Sequence, residues 1–279
     1  FFVFVRPRAN QTSGPRMSAR PCVSECCMGF SSLSSAERGR EKIEAVICWL
    51  ARFGFSDRKV LANLLDVTKA GNSAFFRRLA SSSFIRTHEM PDIAYVGRPR
   101  ILYSLTDSGY GYASMLLPDL EIKRKRALPS WITLVHSLAI QRDLIRQERD
   151  GLCASYVSEI ELSRMTLAHS PDAILTRVDG SREALEIELT QKSESRIYHI
   201  FLGHVRNIGE GAYRHVRYIF RSPGLRKKYE SLYLREVWPI YKVNSRTRKI
   251  ELDGMNTFVS ASVRSAGVFK FDLGDFSDE

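Results

Sequence analysis

The 279-residue chain carries 42 Lys and Arg against 31 Asp and Glu, a formal charge of +11 with a pI near 9.6. That length accommodates two domains, and the positive balance points to a polyanionic partner. No stretch approaches the roughly 18 consecutive apolar residues of a spanning helix, so no membrane segment is expected and nucleic acid is favoured over an anionic membrane as the partner. The five cysteines, at 22, 26, 27, 48 and 153, show no paired spacing, which argues against a disulfide framework and for a reducing, bacterial cytoplasm. Cys22-x-x-x-Cys26-Cys27 has no companion Cys or His pair and is a poor zinc site.

The chain opens on apolar Phe1–Val5, followed by a run rich in Ser, Pro, Gly and Arg. Residues 1–35 are expected to be disordered or upstream translation, with Met17 a candidate start, because they lack the order of a signal peptide. Behind a Ser34-Ser35 cap, Ile43, Val46, Ile47 and Leu50 recur at helical spacing. Ser56-Asp57 caps a second short helix and Thr68 opens a third through Phe75, Phe76 and Leu79. Two strands follow, around Phe84–Arg86 and Ile101–Leu105, and Thr106 caps a closing helix. Three helices and a hairpin are the layout of a winged helix-turn-helix over 36–117. Lys69, Asn72, Ser73, Arg77 and Arg78 on the third helix are the expected groove-facing residues, and Arg98 and Arg100 the phosphate contacts of the wing. The competing reading is a protein-contact module with solvated charges, and the net charge favours DNA.

Residues 118–130 read as a linker, with Lys123, Arg124, Lys125 and Arg126 placed to track a phosphate backbone. A second domain, over 131–245, starts with a helix carrying His136, then a strand over 156–160 whose terminal Glu159, in competition with Glu148, is a candidate site acid. A lone histidine on an apolar face is more often a hydrogen-bonded core residue than a catalyst. His169 stands before Ser170-Pro171, either to polarise a phosphate or to solvate the turn.

The most chemically suggestive stretch runs from Pro171-Asp172 across an Asp179-Gly180 turn signal to Leu185-Glu186-Ile187-Glu188-Leu189. Its period-two alternation puts Glu186 and Glu188 on one strand face and the aliphatic residues in a core. A hairpin would return Asp172 to Glu186, so Asp172, Glu186 and Glu188 are the expected ligands of Mg²⁺ or Mn²⁺. The plainer alternative is a solvated hairpin with ordinary surface acids. Lys192 shares the parity of the glutamates, but four strand residues span about 13 Å, so it reaches them only where the strand bends or ends.

This stretch resembles the PD-(D/E)xK nuclease signature, departing from it at the lysine, since Glu188 stands at the usual lysine position. From about 38 to 245 the order of features is similar to the plasmid replication-relaxation proteins and MOBC-type relaxases: Leu105-Thr106-x-x-Gly109, His136, Ser158-Glu159, Pro171-Asp172 and Glu186-x-Glu188-x-x-x-Lys192-Ser193. The resemblance implies a mixed α/β (α+β) fold, a winged helix followed by a restriction-endonuclease-like domain whose mixed sheet is flanked by helices. It implies a DNA-processing protein acting at a plasmid origin of transfer or replication, alongside other relaxosome or replication proteins. Metal-dependent nicking would use Asp172, Glu186, Glu188, Lys192, Glu159 and His136, with Tyr198 a candidate nucleophile for a phosphotyrosyl variant. The alternatives are a regulator or replication accessory with an inactive nuclease fold, or a restriction-type endonuclease. Later segments read as strands over 216–220 and 237–241, an added hairpin within 246–279, and a frayed acidic, aromatic tail from Phe271.

Overall fold

The computed structural model describes residues 34–67, 69–90, 99–122 and 128–276, with the side chains of 69–72 outside that description. Ser34 begins the first helix, α1 (Ser35–Phe53), with a reciprocal cap: its hydroxyl accepts from Glu37 N while the Glu37 carboxylate accepts from Ser34 N. Gly54 ends the helix at φ 81°, a conformation that costs a glycine little. Asp57 then caps α2 (Arg58–Leu64), its Oδ1 accepting from Val60 N at 2.7 Å, and α3 spans Lys69–Ala80.

A short β1 (Ser56–Asp57), β2 (Ile85–Glu89) and β3 (Ile101–Leu105) form an antiparallel sheet in the order β1-β3-β2. Helix α4 (Asp107–Leu116) follows from the Thr106 cap. The expected three helices, hairpin and closing helix are therefore all present in sequence order.

Beyond 118–130 comes α5 (Trp131–Arg149), then β4 (Cys153–Ser158), the one-turn α6 (Glu159–Leu162), β5 (Ala173–Arg177) and β6 (Arg182–Glu188). After α7 (Glu194–Gly209) come β7 (His215–Phe220) and α8 (Pro223–Tyr233). The hairpin of β8 (Val237–Val243) and β9 (Ile250–Val259), α9 (Ala261–Ser265) and β10 (Phe269–Leu273) complete the described chain. The principal sheet runs β10-β7-β6-β5-β4: β4, β5 and β6 are antiparallel, and β6–β7 and β7–β10 are parallel. The architecture is thus mixed α/β, with a mixed sheet and helices on both faces.

Two expectations need correction. The 237–241 strand does not join the principal sheet; it pairs with β9 in a separate ribbon, Val237 opposite Val259. The last sheet strand is instead Phe269–Leu273, which overlaps the tail expected to fray from Phe271, and Phe269 and Phe271 pack in a core that an acidic composition alone does not reveal.

Each face of the sheet has its own core. Leu185, Ile187, Ala173 and Leu175 enter one with α1, α2 and α5; Ala184 and Ile174 enter the other with Phe201, Tyr218, Trp238 and Phe269. Successive strand residues go to opposite sides, so β6 serves both. The first core runs without interruption from Val46 in α1 to Leu144 in α5 and Leu185 in β6. A buried polar clasp reinforces it: Trp49 Nε1 and Ser56 Oγ each donate to Gln141 Oε1 at 2.8 Å, and Gln141 Nε2 donates to the Phe55 carbonyl at 3.0 Å. The segments on either side of 118–130 are thereby packed on one another.

Candidate functional site

The acidic hairpin forms as its turn chemistry suggests. Arg177 N donates to Ser181 O at 2.8 Å, and Gly180 takes φ 79°. Ala173 pairs with Leu185, and Asp172 extends the ladder by donating its N–H to Leu185 O at 3.0 Å. Asp172 therefore does return beside Glu186. Its side chain turns to the α5 side, where Oδ2 accepts from Ile187 N at 2.7 Å and lies 3.4 Å from His136 Nε2. His136 Nε2 also donates to Ile187 O at 2.8 Å. Burial alone would lower the His136 pKa, but the adjacent Asp172 carboxylate outweighs it and raises the pKa to about 9.

Glu186 and Glu188 share a face as expected, but that face is covered: Glu186 is 4% exposed and Glu188 1%. The solvated-hairpin alternative fails on this point. Strand β6 lies inside a five-stranded sheet with α7 across its acidic side, so period two here distinguishes the two buried faces rather than core from solvent.

Glu186 meets two imidazoles. His169, on the loop before β5, places Nε2 2.8 Å from Glu186 Oε1, and His204 of α7 places Nε2 3.2 Å from the same oxygen. Burial pushes the Glu186 carboxyl up, but His169 and His204 more than reverse that and hold it well below the usual carboxylate range. His204, fully buried, has its pKa lowered by that burial. Among the described residues, the group of His, Cys, Asp and Glu ligand atoms that converges to within 4.8 Å is His169, Glu186 and His204. The expected three-carboxylate convergence is not what the structure assembles, because Asp172 and Glu188 take other partners.

Glu188 is bound by Lys192, whose Nζ lies 2.5 Å from both carboxylate oxygens. Strand β6 ends at Glu188, Ser193 caps α7, and the turn between them swings Lys192 back, meeting the geometric condition set by its four-residue spacing. Burial still dominates and lifts the Glu188 pKa to about 7; Lys192 opposes the rise, while Glu186 and Asp172 add to it. Exposed Arg196 and Arg221 lie at this end of the sheet, and Arg221 N donates to Glu188 O at 3.0 Å. Lys228 Nζ donates to Lys192 O at 3.3 Å.

The other candidate residues fall elsewhere. Glu159 is exposed at the head of α6, just past the last β4–β5 pair, Ser158 with Ala173, and is not drawn into the cluster. The chain has already left the sheet, and Glu161 rather than Glu159 engages Ser158. Glu148 lies by Cys153 and Tyr156 of β4. Tyr198 is wholly buried and donates to Leu232 O at 3.3 Å, which removes it as an accessible nucleophile.

In the N-terminal unit, Arg77 and Arg78 are exposed on α3, and Ser73, also exposed, accepts from Arg58 at 3.1 Å. Arg78 shares a surface hollow with Arg38 and Lys42 of α1. Arg100 is exposed just before β3. Lys69 and Asn72 lie on α3, while Arg98 and Lys123, Arg124, Lys125 and Arg126 fall outside the described residues.

His204 and its supports are the residues that pattern reading overlooks. Asn207 Nδ2 donates to the His169 carbonyl at 2.7 Å and to Tyr213 Oη at 2.8 Å, and its Oδ1 accepts from Ala168 N at 2.8 Å. His204 Nδ1 lies 2.7 Å from Tyr213 Oη. The one available signal is a histidine inside the apolar stripe Ile197, Ile200, Phe201, Val205 and Ile208. No helix of the described residues is long and apolar enough to cross a membrane. No protein-family model matches this chain, and no match is found among curated proteins or solved structures.

Proposed function

We propose that the chain is a plasmid or mobile-element DNA-processing protein, in which a winged helix binds a DNA site and a nuclease-like domain cleaves a phosphodiester with the help of Mg²⁺ or Mn²⁺. The observation that carries this reading is the junction after β6, where Lys192 folds back onto Glu188 within a basic rim and Asp172 lies across the strand. A lysine-clamped acid inside positive surroundings suits a phosphodiester with its counterion.

Carboxylate oxygens are the donors a hard divalent ion takes, and Glu188 feels the like charge of Asp172 and Glu186, opposed by Lys192. For Asp172 and Glu188 to share such an ion, Asp172, now turned to the α5 side, would have to swing round the end of β6; Glu186 is turned to the imidazoles. A bound ion of this kind supplies an activated water and offsets charge on the scissile phosphate. Lys192 contributes a positive charge for the transition state, and His136 holds the Asp172 carboxylate in place. Exposed Arg77 and Arg78 would face the groove, and exposed Arg100 would supply a phosphate contact, in site binding.

The test is conversion of supercoiled plasmid carrying the gene's flanking DNA, with Mg²⁺ or Mn²⁺ against EDTA. Metal-dependent open circles, lost in Asp172→Ala and Lys192→Met, are the expected result. Linear product indicates a restriction-type enzyme.

A second reading, a DNA-binding accessory with an inactive nuclease fold, is favoured by one feature: Asp172, Glu186 and Glu188 each already engage a histidine or lysine of the chain itself. Tight site binding without cleavage would select it.

A further inference from the structure

We infer that His169, Glu186 and His204 form a binding site for one divalent transition ion of the Zn²⁺ or Co²⁺ class, on the α7 side of β6. This does not rest on the nuclease reading; it follows from donor chemistry and position. Two imidazoles and one carboxylate are a ligand set that borderline ions favour over Mg²⁺.

The spacing is close to what such an ion needs. With metal–ligand distances of about 2.1 Å and tetrahedral angles, ligand atoms stand about 3.4 Å apart. Glu186 Oε1 lies 2.8 Å from His169 Nε2 and 3.2 Å from His204 Nε2, and all three ligand atoms are within 4.8 Å of one another. A small outward movement of Glu186, with the two imidazole nitrogens, at most 4.8 Å apart, drawn to about 3.4 Å, would admit the ion.

A second, independent observation comes from His204. The residue has no exposure, yet its Nε2 makes no aligned hydrogen bond and is aimed at the Glu186 oxygen. A buried ring nitrogen that meets its carboxylate neighbour only at a poor angle gains little from it, which leaves its lone pair to a better placed partner. Its other nitrogen is engaged by Tyr213 Oη, the arrangement that fixes ring orientation in ligating histidines.

His169 is held just as firmly, since Asn207 bonds the main chain on both sides of the 168–169 link. Gly203 lets that loop lie against α7, where a Cβ would stand only 2.5 Å from His169 Cβ. The ion would therefore join the loop, β6 and α7, three segments remote in sequence, just before Asp172.

The test is to strip the full-length protein with chelator and titrate it with Co²⁺ and Cu²⁺. Expected are one Co²⁺ per chain with visible d–d bands, nitrogen couplings from imidazole in the Cu²⁺ electron-paramagnetic spectrum, and no displacement by excess Mg²⁺. His169→Asn, at the half-buried edge, should abolish stoichiometric binding, and Tyr213→Phe should weaken it by about 10–100-fold. Circular dichroism and thermal melting identify a variant that has merely unfolded, and the wild-type spectrum remains decisive in that case. Absence of Co²⁺ binding, an oxygen-only spectrum, or unchanged binding in a folded His169→Asn would overturn the site. Neither result depends on plasmid nicking, so a failure of the nuclease reading is seen separately.

Discussion

Lys192 Nζ lies 2.5 Å from both carboxylate oxygens of Glu188, four residues back along the chain, because β6 ends between them and the chain turns into α7. With Glu188 only 1% exposed, the pair's strength depends on which member is removed. Lys192→Met strands a buried acid and should destabilise the protein by up to about 3 kcal/mol, reduced by the partial exposure of Lys192. Combining it with Glu188→Gln should recover much of the loss. Urea denaturation of the two single variants and the double variant checks this, and strict additivity would show that the pair is not coupled.

The same neighbourhood sets a pH dependence for metal-free protein. Glu188 is raised to about 7 by burial, against an ordinary value of 4.5, so its contribution is fully present below 4.5 and is lost as pH rises toward 7. His136 is raised to about 9 from 6.5: burial opposes the shift and Asp172 overcomes it. Its contribution is therefore lost between 6.5 and 9. Both groups act in the same direction, so their combined contribution to thermal stability declines from pH 5 to 9. Relative to wild type, Glu188→Gln should flatten the lower part of the curve and His136→Asn the upper part.

Gly203→Ala places a methyl group against the His169 loop. The expected cost is about 1–3 kcal/mol, with the loop displaced from α7. A thermal melt measures the first, and loss of the slowly exchanging Ala168 amide proton, which bonds Asn207, reports the second. A cost below a few tenths of a kcal/mol would mean that the loop relaxes freely.

Gln141 ties α5 to Trp49 and Ser56. Gln141→Leu leaves two buried donors without their acceptor and should cost about 2–6 kcal/mol, at about 1–3 kcal/mol for each. Because the first core is continuous across the 118–130 segment, unfolding should remain a single transition. Two separate transitions, with only the first shifted, would show that the N-terminal unit unfolds independently.

For DNA binding, Arg77→Ala and Arg78→Ala should weaken affinity most on the cognate site, whereas Arg100→Ala should weaken it similarly on all sequences. Arg100→Ala should also lower the slope of log affinity against log salt by about one for every phosphate left without its arginine. Fluorescence anisotropy at several salt concentrations measures this; an unchanged slope would place the DNA elsewhere.

Local chemistry is the legible part of this sequence. The caps at Ser34, Asp57 and Thr106 sit where short polar side chains precede apolar stripes, and the Asp179-Gly180 turn brings Asp172 to Leu185 as its spacing implies. Long-range pairing is not legible. Period two indicates that alternate residues of β6 face opposite ways, but not that both ways are buried. The pairing of Glu186 with His169 and His204 depends on a loop and a helix that periodicity does not relate to one another. The tail resists pattern reading because Asp272 and Asp275 mask Phe269 and Phe271, whose place is fixed only by their parallel pairing with Val216 and Tyr218.

Strand β10 also bears on the order of assembly. Strand β7 gains its second neighbour only from residues 269–273, after the β8–β9 ribbon and α9 have intervened. During synthesis, β7 is therefore a bare sheet margin with aromatic side chains, the kind of edge that recruits foreign strands. Forty-eight residues, 221–268, lie between β7 and β10, so the interval scales with elongation rate, and slow translation or early termination there would expose the chain to misassociation.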